Sequence, residues 1–171
     1  MSQDIDKKRS KPLYSASERQ RRDQTAWTLV QGVLAPLQFI VFGISLVLVI
    51  RFLLTKQGFE LATASIVVKT GLLYLIMITG AIWEKVVFGK YLFAEPFFWE
   101  DVFSMLVIAL HSAYLFALLS QSVGAETQMH IALAAYGAYL INAAQFLRKF
   151  RMARRNDGSD SSLHSGALEA V

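Results

Sequence analysis

Residues 27–54 read WTLVQGVLAPLQFIVFGISLVLVIRFLL, 28 residues with Arg51 as the one charged side chain. A helix needs roughly 20 apolar residues to cross the hydrocarbon core of a bilayer. A backbone in hydrocarbon has no water to bond, so a run of this kind must close its own hydrogen bonds as helix. Pro36 predicts a kink, with Gly32 close enough to relax the strain. A soluble domain of similar length would break its apolar residues into shorter helical or alternating patterns.

Three more stretches repeat the signal. They run over about 61–83, 102–119 and 129–147. The composition agrees, with 54% hydrophobic residues in a chain of 171. The reading is an all-α membrane protein with four transmembrane helices over 27–147. A basic arm (1–26) precedes them, and a basic then disordered tail (148–171) follows. The tail NDGSDSSLHSGALEAV is polar and rich in small residues, as unstructured segments are.

Charge sets the expected orientation. The first arm carries Lys7, Lys8, Arg9, Lys11, Arg19, Arg21 and Arg22, and the tail carries Arg148, Lys149, Arg151, Arg154 and Arg155. Lys85 and Lys90 lie in the middle loop, which shares a side with both termini if there are four spans. That side holds fourteen basic residues; the other holds only Arg51 and Lys56, and Lys69 lies inside a span. The positive-inside rule puts both termini and the aromatic-rich middle loop in the cytoplasm. The charged arm is too long to precede the apolar core of a signal peptide. The basic arms read as topology determinants that also attract anionic lipid, and no nucleic-acid-binding module is recognisable.

The middle loop, GAIWEKVVFGKYLFAEPFFWED (80–101), is the chemical anomaly. It mixes Trp83, Phe88, Tyr91, Phe93, Phe97, Phe98 and Trp99 with Glu84, Glu95, Glu100 and Asp101. Glu84 ends the second apolar run, while Glu100 and Asp101 open the third at the same membrane level. His111 lies ten residues beyond Asp101, hence roughly 15 Å deeper. Glu100, Ser104 and His111 fall within about 40° on one helix face. Gln24, Gln31, Gln38 and Ser45 recur every seven residues on the first helix. Asn142 and Gln145 sit shallow on the fourth. Ionisable groups at such depth mark function by default.

Plainer roles exist for each. The amides can bond helix to helix, the rings can form an interfacial belt, and the acids can favour a helix N-terminus. Lys69 and Glu84 are too far apart along their helix to pair. No cysteine is present, which removes disulfides and thiolate chemistry, and three histidines make a structural zinc site a poor expectation. Gly-rich phosphate loops, H-E-x-x-H and a nucleophile elbow are absent. His111 and His130 lie at mismatched depths for a haem. Acid–base chemistry or binding of a large apolar ligand remains, and a carboxyl beside aromatic rings suits a general acid.

The chain resembles the 3-vinyl (older name 2-vinyl) bacteriochlorophyllide hydratase family from about Tyr14 to Arg155. The resemblance rests on YSASERQRRD, WTLVQGVLAPLQF, LATASIVVKTGLLY, GAIWEKVVFGKYLFAEPFFWEDVFSMLVIALHSAYL and QMHIALAAYGAYLINAAQFL. It implies a hydro-lyase that adds water to the C3-vinyl group of a chlorophyllide or bacteriochlorophyllide, giving the 3-(1-hydroxyethyl) derivative in bacteriochlorophyll biosynthesis. The implied setting is the bacterial inner, intracytoplasmic membrane. The implied partners are the pigment, water and lipid, with further copies of the chain or other pigment-synthesis enzymes as candidates. No cofactor is expected, because the substrate carries its own Mg²⁺.

That reaction assigns expected roles to the residues. Glu84 or Glu100 is the candidate acid, and Asp101 orients water. His111 relays protons or ligates the substrate magnesium. Trp83, Phe97, Phe98 and Trp99 line a slot for a flat ring, with Gln31, Asn142 and Gln145 facing the same region. Lys85, Lys90 or Arg148 holds the propionate. Two other readings compete: a non-catalytic pigment-binding or assembly factor, and a small transporter or channel subunit.

Overall fold

The computed structural model describes residues 13–168, with side chains to Met152; residues 1–12 of the basic arm and 169–171 lie outside it. Among the described residues every regular element is helical. The order is α1 (Ala16–Gln24), α2 (Ala26–Thr55), α3 (Phe59–Phe88), a 3₁₀ turn (Glu95–Phe97), α4 (Phe98–Ser120) and α5 (Ala125–Leu168).

Three helical segments, Ala26–Thr55, Phe59–Phe88 and Glu95–Ser120, are long and apolar enough to cross a membrane. The first three expected runs are therefore helical, their ends lying one to five residues beyond the expected ones, while the fourth, 129–147, falls within α5, which is not among these three segments. α2 continues through Pro36. α5 starts earlier than expected and continues to Leu168, through the stretch expected to be disordered.

α1 is an element the apolarity reading passes over. Ser15 and Glu18 form a reciprocal capping box: the Ser15 N–H donates to Glu18 Oε2 at 2.7 Å, and the Glu18 N–H donates to Ser15 Oγ at 3.3 Å. The S-x-x-E spacing in YSASE is its sequence signature. Just ahead of α1, Tyr14 is buried against Phe88 and Phe97.

Short connections fold α2 on α3 and α4 on α5 as antiparallel hairpins. Lys56 and Gly58 take left-handed backbone to turn the first, and Gln121 does so in the second. The hairpins pack closely within themselves and more sparsely against each other. Val49, Ile66, Val107, Met129 and Tyr136 form the main core. Tyr14, Val87 and Phe97 form a second one under the 89–97 connection.

Polarity is inverted relative to a water-soluble bundle. Leu29, Ile40, Val47, Leu54, Leu61, Ile78, Phe116 and Leu119 lie exposed on the outside, while Gln38, Ser45, Lys69, Thr70, Ser104 and His111 are buried. That is the arrangement lipid selects, with polar groups bonding helix to helix. Ser45 Oγ lies 2.5 Å from Tyr136 Oη and 2.7 Å from Ser65 Oγ, joining α2, α3 and α5. Tyr136→Phe should cost about 1 kcal/mol. A thermal melt in detergent should show the lower midpoint, and an unchanged midpoint would remove this bond from the fold's stability.

Candidate active site

Gly89 ends α3 with a left-handed cap, its N–H bonding the Lys85 carbonyl. The chain then crosses to α4 in eight residues. This short crossing brings the end of α3, carrying Glu84, against the start of α4, carrying Asp101. Both are buried, 6% and 3% exposed. Their carboxyls are near enough to act on one another electrostatically. Two buried carboxyls this close favour holding one proton between them over carrying two charges.

The crossing also supplies donors. The Phe93 N–H donates to Asp101 Oδ2 at 2.6 Å, and the Ala94 N–H donates to Glu84 Oε2 at 3.3 Å. Phe93 reaches this geometry with φ of 59°, a left-handed backbone that costs a non-glycine residue roughly 1 kcal/mol. Such strain recurs where a backbone is held for chemistry.

Glu100 turns away from the pair. Its Oε2 accepts from Lys149 Nζ of α5 at 2.5 Å, and Lys149 also donates to the Pro96 carbonyl. The Lys149 ammonium lies 4.9 Å from the Phe97 ring centroid. Glu84 thus meets Asp101, and Glu100 meets Lys149. The sequence level shared by the three acids divides into two partnerships.

The aromatic residues also divide. Phe97 is buried, with Trp83, Phe88, Phe146 and Phe150 around it at centroid distances of 5.7 to 6.1 Å. The Trp83 indole N–H donates to Thr28 Oγ1 at 2.9 Å, tying α3 to α2. Phe98 and Trp99 are outward-facing and 5.5 Å apart, with Phe93 5.8 Å from Phe98. These three form an open apolar rim beside the acid pair. Lys85 donates to the Gly89 carbonyl at 2.9 Å and lies over Tyr91.

Deeper in the bundle, His111 is fully buried. Its Nδ1 lies 2.8 Å from the Val107 carbonyl, which can only accept, so Nδ1 carries a hydrogen. Its Nε2 lies 2.9 Å from Lys69 Nζ. A magnesium ligand at Nε2 would have to replace that lysine. Lys69 has no carboxylate partner among the described residues; its Nζ lies 4.1 Å from the Tyr139 ring centroid and 5.2 Å from that of Tyr136. Gln31 donates to Thr79 at 2.8 Å, and Asn142 donates to Ser104 at 2.9 Å, so both bond helix to helix. The Gln145 side-chain oxygen has no partner among the described residues.

A family profile described as 2-vinyl bacteriochlorophyllide hydratase matches residues 14–152. The chain belongs to this family. The match spans α1 through the first part of α5, and so includes Glu84, Asp101, Glu100 and Lys149. A 2-vinyl bacteriochlorophyllide hydratase from Rhodobacter capsulatus is 64% identical over 152 residues, covering 89% of this chain and 88% of that protein. One from Cereibacter sphaeroides is 67% identical over 143 residues, covering 83% and 88%. No solved structure matches the chain.

Two participants escape the sequence reading. Lys149 looks like one more topogenic charge, although its spacing from Phe146 and Phe150 puts it on an aromatic face. The Phe93 and Ala94 amides leave no side-chain signal at all.

A protonated-carboxyl band should appear in the infrared spectrum of the protein. It should persist in Glu100→Gln and vanish in the Glu84→Gln/Asp101→Asn double variant. A band that survives the double change lies elsewhere. Lys149→Met should destabilise by about 2 kcal/mol by stranding Glu100, and adding Glu100→Gln should restore most of the loss. Equal denaturation midpoints for all three proteins would show that the ion pair is inert.

Proposed function

We propose that this chain adds water to the C3-vinyl group of a chlorophyllide or bacteriochlorophyllide, giving the 3-(1-hydroxyethyl) derivative. The membership of the family supports the reaction, and the Glu84–Asp101 pair supports the chemistry. The reaction is neutral in electrons and in protons, so a group that lends one proton and recovers one suffices. A carboxyl pair sharing a single proton has that capacity.

Glu84 is the acid. The short Phe93 N–H bond favours negative charge on Asp101, whereas the Ala94 N–H bond to Glu84 is longer, so the shared proton belongs on Glu84. Transfer of that proton to the terminal vinyl carbon forms a C–H bond at the expense of the C=C π bond. The cation left on the carbon next to the ring is conjugated with the macrocycle. Water, oriented by Asp101, adds there through oxygen and gives its surplus proton to the pair, which returns to its starting form. Glu100, held by Lys149, has a structural share in the site and not the acid's role.

The exposed rim of Phe93, Phe98 and Trp99 supplies an apolar edge along which a flat ring can enter from the lipid. The pigment brings its own Mg²⁺ as part of the substrate, and His111 can approach that ion only by parting from Lys69. α5 is the fourth span, and the basic arms hold both termini on the cytoplasmic side. A bacterial inner membrane follows from that orientation. The far side, nearly free of charge, speaks against a conduit.

Purified protein given the vinyl pigment should yield a product heavier by one water, with oxygen from labelled water in the new hydroxyl group. Glu84→Gln and Asp101→Asn should each lower turnover by roughly a hundredfold or more, the usual weight of a general acid or base. Glu100→Gln should lose less than about tenfold, the cost of repositioning. Pigment binding without any hydrated product would leave only a binding protein, and normal turnover in both Glu84→Gln and Asp101→Asn would move the acid elsewhere.

A further inference from the structure

Gln38 stands apart from the other interhelical amides. It is 2% exposed, and neither its side-chain nitrogen nor its oxygen has a partner among the described residues. Gln31 and Ser45, seven residues to either side on the same face of α2, are bonded to Thr79 and Ser65 of α3. Gln38 therefore faces the interior midway between two anchored points, roughly 10 Å along the helix from each. Its neighbour Phe39 and the next-turn Phe42 meet the Tyr139 ring of α5 at 5.8 and 5.0 Å. That contact sets Gln38 at the level of α5 where Asn142 follows Tyr139.

Unpartnered amide oxygens recur at this level. Asn142 uses its nitrogen on Ser104, and neither its oxygen nor the Gln145 oxygen one turn on has a partner among the described residues. Ser104 stands three residues from Asp101, about 4.5 Å along α4. Polar groups thus run from the bundle interior through Gln38, Asn142 and Ser104 to the acid pair.

An amide left unbonded in an apolar interior is costly. Helix glue would have found a bond. The common resolution in proteins is a buried water with two to four polar partners. We infer that Gln38, with the free oxygens of Asn142 and Gln145, holds the water that is consumed at the Glu84–Asp101 pair. The inference rests on the hydratase reading for the fate of that water, but not for its presence. Gln38 acts here as a positioning residue, ordering a small molecule that Asp101 then directs.

Gln38→Met keeps the length of the side chain and removes its polarity. Turnover should fall roughly ten- to hundredfold, as for a misplaced reactant. Apparent pigment affinity should stay within about twofold, because uniform binding is untouched. The thermal midpoint should hold, since no bond to another side chain is lost. Unchanged turnover overturns the inference. So does weaker pigment binding with turnover kept, which would make Gln38 a pigment contact, or a midpoint that falls with turnover, which would make it packing.

Radiolytic hydroxyl labelling of the wild-type protein is independent of any variant's folding. Bound water should label Tyr139 and Phe42 despite their burial, while Val49 and Ile66 stay unlabelled; no label on Tyr139 or Phe42 overturns the inference. If the wild-type protein hydrates no vinyl pigment, the hydratase reading fails, and the labelling still reports on the water site.

Discussion

Everything at this end of the bundle depends on two carboxyls meeting where apolar helices converge. Left alone, Glu84 and Asp101 would each demand water or a cation. Placed together, they can share a single proton, and the Phe93 and Ala94 amides donate to them. The 89–97 crossing can therefore be short, strained at Phe93 and still stable. Its conformation and the state of the acids form one unit. Removing either acid would release an amide of the crossing as well.

The same logic explains how the two hairpins stay in register across a sparse interface. α3 and α4 touch through specific polar meetings spaced along the seam: Lys69 with His111, Tyr74 with Ser112 at 2.7 Å, and Glu84 with Asp101. Lipid offers no hydrophobic drive to press these helices together, so directional bonds do the selecting. A seam built this way is specific without being tightly filled, a useful property beside a site that must admit a broad, flat molecule.

The helices were legible in the sequence because hydrocarbon leaves a backbone almost no alternative. The polar stripe of Glu100, Ser104 and His111 was legible because helical period alone puts those residues on one face, and all three are buried. Partner choice was not legible. Glu84, Glu100 and Asp101 lie at one level, and a linear reading cannot tell that Lys149, some fifty residues on, draws Glu100 aside. Nor can it separate Phe97 from Phe98: adjacent residues at a helix start point about 100° apart, so one enters the core and the other the rim. α1 was readable from its capping box, but apolarity is blind to a nine-residue polar helix.

Charge placement ties the fold to the proposed chemistry. A step through a cation next to the macrocycle is helped by nearby negative charge and hindered by an unshared positive one. The pair contributes one negative charge at the reacting end. Lys149, the nearby ammonium, is matched to Glu100 and turned onto the Phe97 face. Lys69, without a carboxylate partner among the described residues, lies fifteen residues from Glu84, roughly 22 Å along α3. There it is held by His111 and two tyrosine rings that accept its charge without neutralising it. The bundle thus keeps Lys69 deep in the interior, well separated from the acid pair at the end of α3. Exchanging the positions of Lys69 and Glu84 would leave composition, hydropathy and net charge unaltered, and would abolish that separation.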